Sequence, residues 1–142
     1  MRISAALMLV CGLVASACGG SSTGPSDTLN LAGAWTGTWT FVSAGATVSD
    51  SVTLTVTQTG NSASGQWSAA ASGVTGAVTF TPTADFTGTA TISQTLIVGG
   101  TCSATTTLTG TASANQIRFA FGTLTPMGLC QWATNQQFTF AR

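Results

Sequence analysis

The sequence predicts an all-β fold, a single eight-stranded antiparallel barrel wound as an up-and-down meander. Three observations carry that prediction. First, large apolar residues alternate with threonine, beginning at Gly33-Ala34-Trp35-Thr36-Gly37-Thr38-Trp39-Thr40-Phe41 and recurring to the end of the chain. A period of two marks strands with one packed face and one wet face. Second, Thr and Ser supply most of the polar surface and helix formers are few beyond residue 17. The branched Cβ of threonine packs well on a pleated face. Third, a glycine stands two positions before an apolar residue of the same face in Thr36-Gly37-Thr38-Trp39, Ser64-Gly65-Gln66-Trp67, Thr75-Gly76-Ala77-Val78, Thr87-Gly88-Thr89-Ala90 and Thr109-Gly110-Thr111-Ala112. Glycine weakens a flat strand but permits strong bending, so these sites predict a curled, closing sheet. A two-sheet β-sandwich is the alternative, since it also alternates and turns often. Short connections between neighbours favour the meander.

Taken in order, residues 27–31 lead in and the first strand covers about 34–42. Ser43-Ala44-Gly45-Ala46 turns into a second strand over about 49–59, with Val52, Leu54 and Val56 on one face and Thr53, Thr55 and Thr57 on the other. Gly60-Asn61 provides residues that tolerate positive φ in a tight turn. A third strand carries Ser64–Ser68 and a fourth Val74–Phe80, ending at Thr81-Pro82-Thr83-Ala84-Asp85. Further strands are predicted over about 86–98, 102–112, 116–121 and, after the loop 122–128, over 130–142.

Charge is scarce: Arg2, Arg118 and Arg142 stand against Asp27, Asp50 and Asp85, and the chain has no Lys, Glu, His or Tyr. Binding nucleic acid by neutralising phosphates needs more cations than this. General acid–base catalysis draws on residue types that are absent or isolated here. Nucleophile elbows, phosphate loops, metal-ligand spacing and paired carboxylates are all missing. The reading is a non-enzyme without a cofactor or metal.

The first residues carry a different message. Met1-Arg2 is followed by an apolar run from Ile3 to Val14, too short for a bilayer span of about 20 residues but suited to a signal peptide. Ala15-Ser16-Ala17-Cys18 and the tether Gly19–Ser26 follow. This arrangement resembles a bacterial lipoprotein precursor, with its lipobox before an acylated cysteine. The resemblance implies cleavage after residue 17, lipidation of Cys18, and a membrane as partner through N-terminal acyl chains. Gly19 rather than Asp after the cysteine implies the outer membrane. The expected organisation is a signal peptide over 1–17, a lipidated cysteine and flexible tether over 18–30, and a barrel over 31–142.

Once Cys11 leaves with the leader and Cys18 is acylated, Cys102 and Cys130 remain. An even pair in an oxidising envelope predicts a disulfide. In an eight-strand meander both cysteines fall at the same rim, opposite the tether.

The region 31–142 also resembles the calycin group: lipocalins, fatty-acid-binding proteins and avidins. Gly33-Ala34-Trp35 matches the Gly-x-Trp of the first lipocalin strand, and Arg142 stands where a late arginine packs across that tryptophan. The resemblance implies barrel closure through Trp35 and Arg142. Inward parity places Trp39, Trp67, Gln94, Trp132 and Gln136 among the apolar positions, a candidate pocket for a small hydrophobic ligand. Three functions follow: a lipid-anchored carrier, a structural or interaction lipoprotein with a filled barrel, or a carbohydrate-binding surface domain. A cavity above roughly 300 Å³ favours the first, outward aromatics favour the third, and neither favours the second.

Overall fold

The computed structural model describes residues 27–142; the expected signal peptide, the expected lipidation site Cys18 and the expected tether through residue 26 lie outside them. The described chain forms β1 (Gly33–Ser43), β2 (Ala46–Thr59), β3 (Ser62–Ala69), β4 (Val74–Phe80), β5 (Asp85–Thr95), β6 (Thr101–Ser113), β7 (Gln116–Phe121) and β8 (Thr134–Ala141). Each strand pairs antiparallel with the next, and β8 returns to β1 from Thr36↔Ala141 to Val42↔Thr134. The sheet is therefore a closed barrel and not a sandwich.

Local chemistry explains the meander. The β1–β2 hairpin turns on Ala44 and Gly45, both at positive φ (49° and 80°), the handedness that matches the twist of the flanking strands. Four of the five glycines of the repeated pattern, Gly37, Gly76, Gly88 and Gly110, lie where neighbouring backbone leaves no room for a side chain. At Gly65 the nearest atom to an added Cβ is the Leu54 Cδ1 methyl, at 2.7 Å. A Cβ on Gly37 would lie 1.9 Å from the Thr139 carbonyl oxygen and 2.8 Å from Phe140 Cα. One on Gly76 would lie 2.0 Å from the Thr91 oxygen and 2.6 Å from Trp67 Nε1. The sheet coils tightly because these positions are bare.

Three strand boundaries differ from those read in the sequence by three residues or more. β2 begins at Ala46, not at about residue 49, because the tight turn on Ala44 and Gly45 lets pairing start at Ser43↔Ala46. β5 stops at Thr95, not at residue 98, because Leu96-Ile97-Val98 leaves the sheet in a turn closed by Leu96 N–H to Gly100 O (3.0 Å), with Gly99 and Gly100 at positive φ. β8 begins at Thr134, not at Cys130. Its first residues carry a bulge, with Asn135 at φ 50° and the register to β1 slipping between Thr40 and Val42. The extra residue bends the chain, and 130–133 form loop.

The interior is filled from the lead-in, residues 27–32, upward. Leu31 is fully buried and accepts a hydrogen bond from Trp35 Nε1 (2.9 Å). The Gln58 amide fixes this lead-in, accepting from Leu31 N–H (2.9 Å) and donating to Leu29 O (2.8 Å). Arg142 lays its guanidinium 4.1 Å from the Trp35 ring centroid and donates to Ala32 O (2.6 Å). Above this plug an aromatic layer crosses the barrel. Trp67 meets Phe138 edge-on at 5.0 Å, Phe119 lies 4.8 Å from Phe138, and Trp39 stacks on Phe138 at 5.7 Å.

Candidate functional site

The unfilled part of the interior is the rim opposite the lead-in. Here Trp39, Phe41 and Ser43 of β1, Ser72 and Val74 at the β3–β4 turn, and Ile92 and Gln94 of β5 face Gln131–Ala133 and Gln136 across a pocket of about 150 Å³. No lining residue is charged. Four of the five residues nominated from parity, Trp39, Gln94, Trp132 and Gln136, line this pocket together. Trp67 does not: it is buried one layer deeper, against Trp39, Phe121 and Phe138.

The roof of the pocket is held by the disulfide. Cys102 and Cys130 are joined, with their Cα atoms 5.5 Å apart. Cys102 pairs directly across the sheet with Gln94, so the bond sets the loop 122–133 beside that glutamine and brings Trp132 over the mouth. Backbone contacts complete the placement: Met127 and Cys130 exchange N–H···O bonds (3.2 and 3.0 Å), and Thr106 Oγ1 donates to Thr123 O (3.1 Å).

Gln136 lies in the bulge with Asn135, opposite Phe41, and turns inward, where its Nε2 donates to Ala133 O (3.0 Å). Its Oε1 is buried without a hydrogen-bond partner, as is the indole N–H of Trp39. A buried polar atom left unpaired costs about 1–3 kcal/mol. Both sit on residues that line the pocket, while a third such atom, the indole N–H of Trp67, lies one layer deeper.

Sequence reasoning passed over Asp50. It shares the inward parity of Val52, Leu54 and Val56, is buried, and lies across from Trp39. Its Oδ2 accepts from the Ser72 N–H (2.9 Å) and hydroxyl (2.7 Å). Burial pushes this carboxyl up, but the bonds from Ser72, Ala71 and Ser51 outweigh burial and hold it below its ordinary value. Asp50 thereby fixes Ser72 at the pocket wall. Its parity in β2 was the available signal. Phe41 carried the same signal, the inward parity of Trp35 and Trp39 in β1, whereas Ser43 and Gln131 carried none, because hairpin and loop geometry brings them in.

Around the mouth, Ile97, Val98, Met127 and Leu129 stand in solvent, from 76% to 106% exposed. All four belong to the two loops that the disulfide joins. Trp35, Trp39 and Trp67 are buried and Trp132 is half-buried, so the described surface carries no outward tryptophan stripe. Among the described residues no group of three or more His, Cys, Asp or Glu comes together to hold a metal.

No family model, curated protein or solved structure matches the chain. The functional reading therefore rests on the barrel and its rim.

Proposed function

We propose that this chain is a lipid-anchored protein of a bacterial envelope, held at the outer membrane through acyl chains on Cys18, whose barrel binds a small ligand at the disulfide rim. The carrying observation is the pocket itself, where Trp39, Gln94, Trp132 and the inward, half-unpaired Gln136 meet. The lead-in at the opposite end supports the orientation. A tether leaving from Leu31 turns the mouth away from the membrane that holds the acyl chains.

Size defines the ligand. About 150 Å³ is half the lower bound of roughly 300 Å³ for a drug-sized site. Size alone therefore favours the structural barrel, and the binding reading rests instead on the unpaired polar atoms of the lining and on a smaller ligand. A cavity of this order takes a single ring, and a longer ligand would have to extend past the mouth. A second reading, a lipoprotein whose barrel is structural and whose loops meet another envelope component, is favoured by the filled lower interior and the exposed Ile97, Val98, Met127 and Leu129.

Paired denaturing and native mass spectra of the protein extracted from its own envelope test both parts. The expected denatured mass is Cys18–Arg142 plus acyl chains, less two hydrogens for the disulfide. Added native mass that disappears on denaturation supports the binding reading. An unmodified cysteine overturns the anchor, and a clean native mass shifts the reading to the structural barrel.

A further inference from the structure

Resting on the small-ligand reading above, we infer that the rim pocket takes one neutral sugar ring, with Trp132 as the stacking platform and Gln94 and Gln136 as hydroxyl partners. The walls offer two kinds of surface. Trp39, Phe41 and Trp132 bring aromatic rings to the lining. Trp39 is already packed against Phe41 and Phe138, so the half-buried Trp132 is the ring left to take a ligand. The amides of Gln94, Gln131 and Gln136 and the hydroxyls of Ser43 and Ser72 supply polar groups around them. Every one of these polar groups both donates and accepts. A ligand built of carboxylate, phosphate or ammonium needs an opposite charge or a one-sided set of partners, and neither is present. A purely apolar ligand would bury the amides without partners, at a cost for each. A ring that shows hydroxyls at its edge and C–H groups on its faces meets both kinds of wall. Hydroxyls also donate and accept at once, which suits the unpaired Gln136 Oε1 once its amide rotates to meet them.

The pocket volume of about 150 Å³ agrees with one ring and not with two. Trp132 is half-buried, set at the mouth by the disulfide two residues earlier, so a substituent on the ring projects past it into solvent. The same chemistry fits a free monosaccharide or the terminal unit of a glycan chain.

The test uses the lipidated protein in a detergent without a sugar headgroup. Glucose, galactose, their methyl β-glycosides, cellobiose and lactose are titrated, with phenol as a single-ring probe lacking the polyol edge. Binding is read by tryptophan fluorescence and by saturation-transfer NMR. At least one sugar is expected to bind in the millimolar range. Trp132→Ala should weaken it about tenfold and Trp132→Phe by no more than about threefold, as expected for loss of a stacked face. Gln94→Leu, which keeps bulk but removes the amide, should also weaken it about tenfold. Equal binding of glycosides and disaccharides identifies a glycan end, and binding of free sugars alone identifies a soluble monosaccharide; either supports the proposal. Phenol binding that depends on Trp132 without any sugar binding overturns the sugar assignment and leaves the small-ligand reading standing. Silence from every probe overturns both. Sugar binding untouched by the Trp132 and Gln94 substitutions overturns this site.

Discussion

Removing the disulfide perturbs both the stability and the rim. Cys102 is 2% exposed, so alanine replaces both cysteines, because a serine there would bury a hydroxyl and confound the result. The two positions are 28 residues apart. For a loop of that length the chain-entropy relation gives about 3.6 kcal/mol of stabilisation at 25 °C, exerted on the unfolded chain. For a barrel of this size the entropy of unfolding converts that loss to a fall in melting temperature of about 15 °C. Urea unfolding of Cys102→Ala/Cys130→Ala, followed by tryptophan fluorescence, measures it. The denaturant slope should rise as well, because an unbridged chain exposes more surface when unfolded. A loss below about 1 kcal/mol with an unchanged slope would refute the reasoning, since the estimate requires that the bridge confine the unfolded chain. The folded variant should also lose ligand binding, because the loop carrying Trp132 would no longer be tied beside Gln94.

Other substitutions probe separate parts of the account. Gly37→Ala should destabilise by about 3 kcal/mol, at the upper end of overpacking, because backbone of β8 occupies the place of the new Cβ; denaturation midpoints read this, and a loss under about 0.5 kcal/mol would contradict the tight coil. Asp50→Asn should destabilise at neutral pH, and the difference should fade in acid. The folded carboxyl lies below its ordinary 3.8, so its contribution is present above about pH 4 and is lost as pH falls through the folded-state value. A pH-independent difference between the two proteins, measured from pH 2 to 7, would contradict that origin. Arg142→Ala should cost about 1 kcal/mol through the lost contact with Trp35 and shift the Trp35 emission. An unchanged melting curve and spectrum would show that the arginine does not hold the barrel seam.

The barrel was legible because two signals agreed. Alternation gave each strand its inner face, as in Val52, Leu54 and Val56, and the repeated Thr-Gly steps marked where strands cross too closely for side chains. Periodicity failed where backbone conformation, not hydrophobicity, ends a strand. Leu96-Ile97-Val98 is as apolar as any strand, yet Gly99 and Gly100 take it out of the sheet. Asn135 breaks β8 with a bulge, and asparagine alone is too common in other conformations to announce one. That bulge means Trp132 reaches the pocket from a loop and not from a continuous strand. Its inclusion among the candidate residues rested on a parity that the bulge interrupts, and the disulfide supplied the placement. The candidate site was thus readable for strand residues Trp39, Gln94 and Gln136. It was not readable for Ser72 or Gln131, which turns and loop geometry deliver.

The chain has four tryptophans, and their indole N–H signals report directly on where a ligand sits. Trp35 is hydrogen-bonded at the closed end, Trp67 lies in the aromatic layer, and Trp39 and Trp132 line the rim pocket. A single proton–nitrogen spectrum, recorded with and without methyl β-glucoside or phenol, should move the Trp39 and Trp132 signals and leave Trp35 unmoved. Shifts at Trp35 with Trp39 and Trp132 silent, or no shift with any probe up to its solubility limit, would contradict a binding site at the disulfide rim.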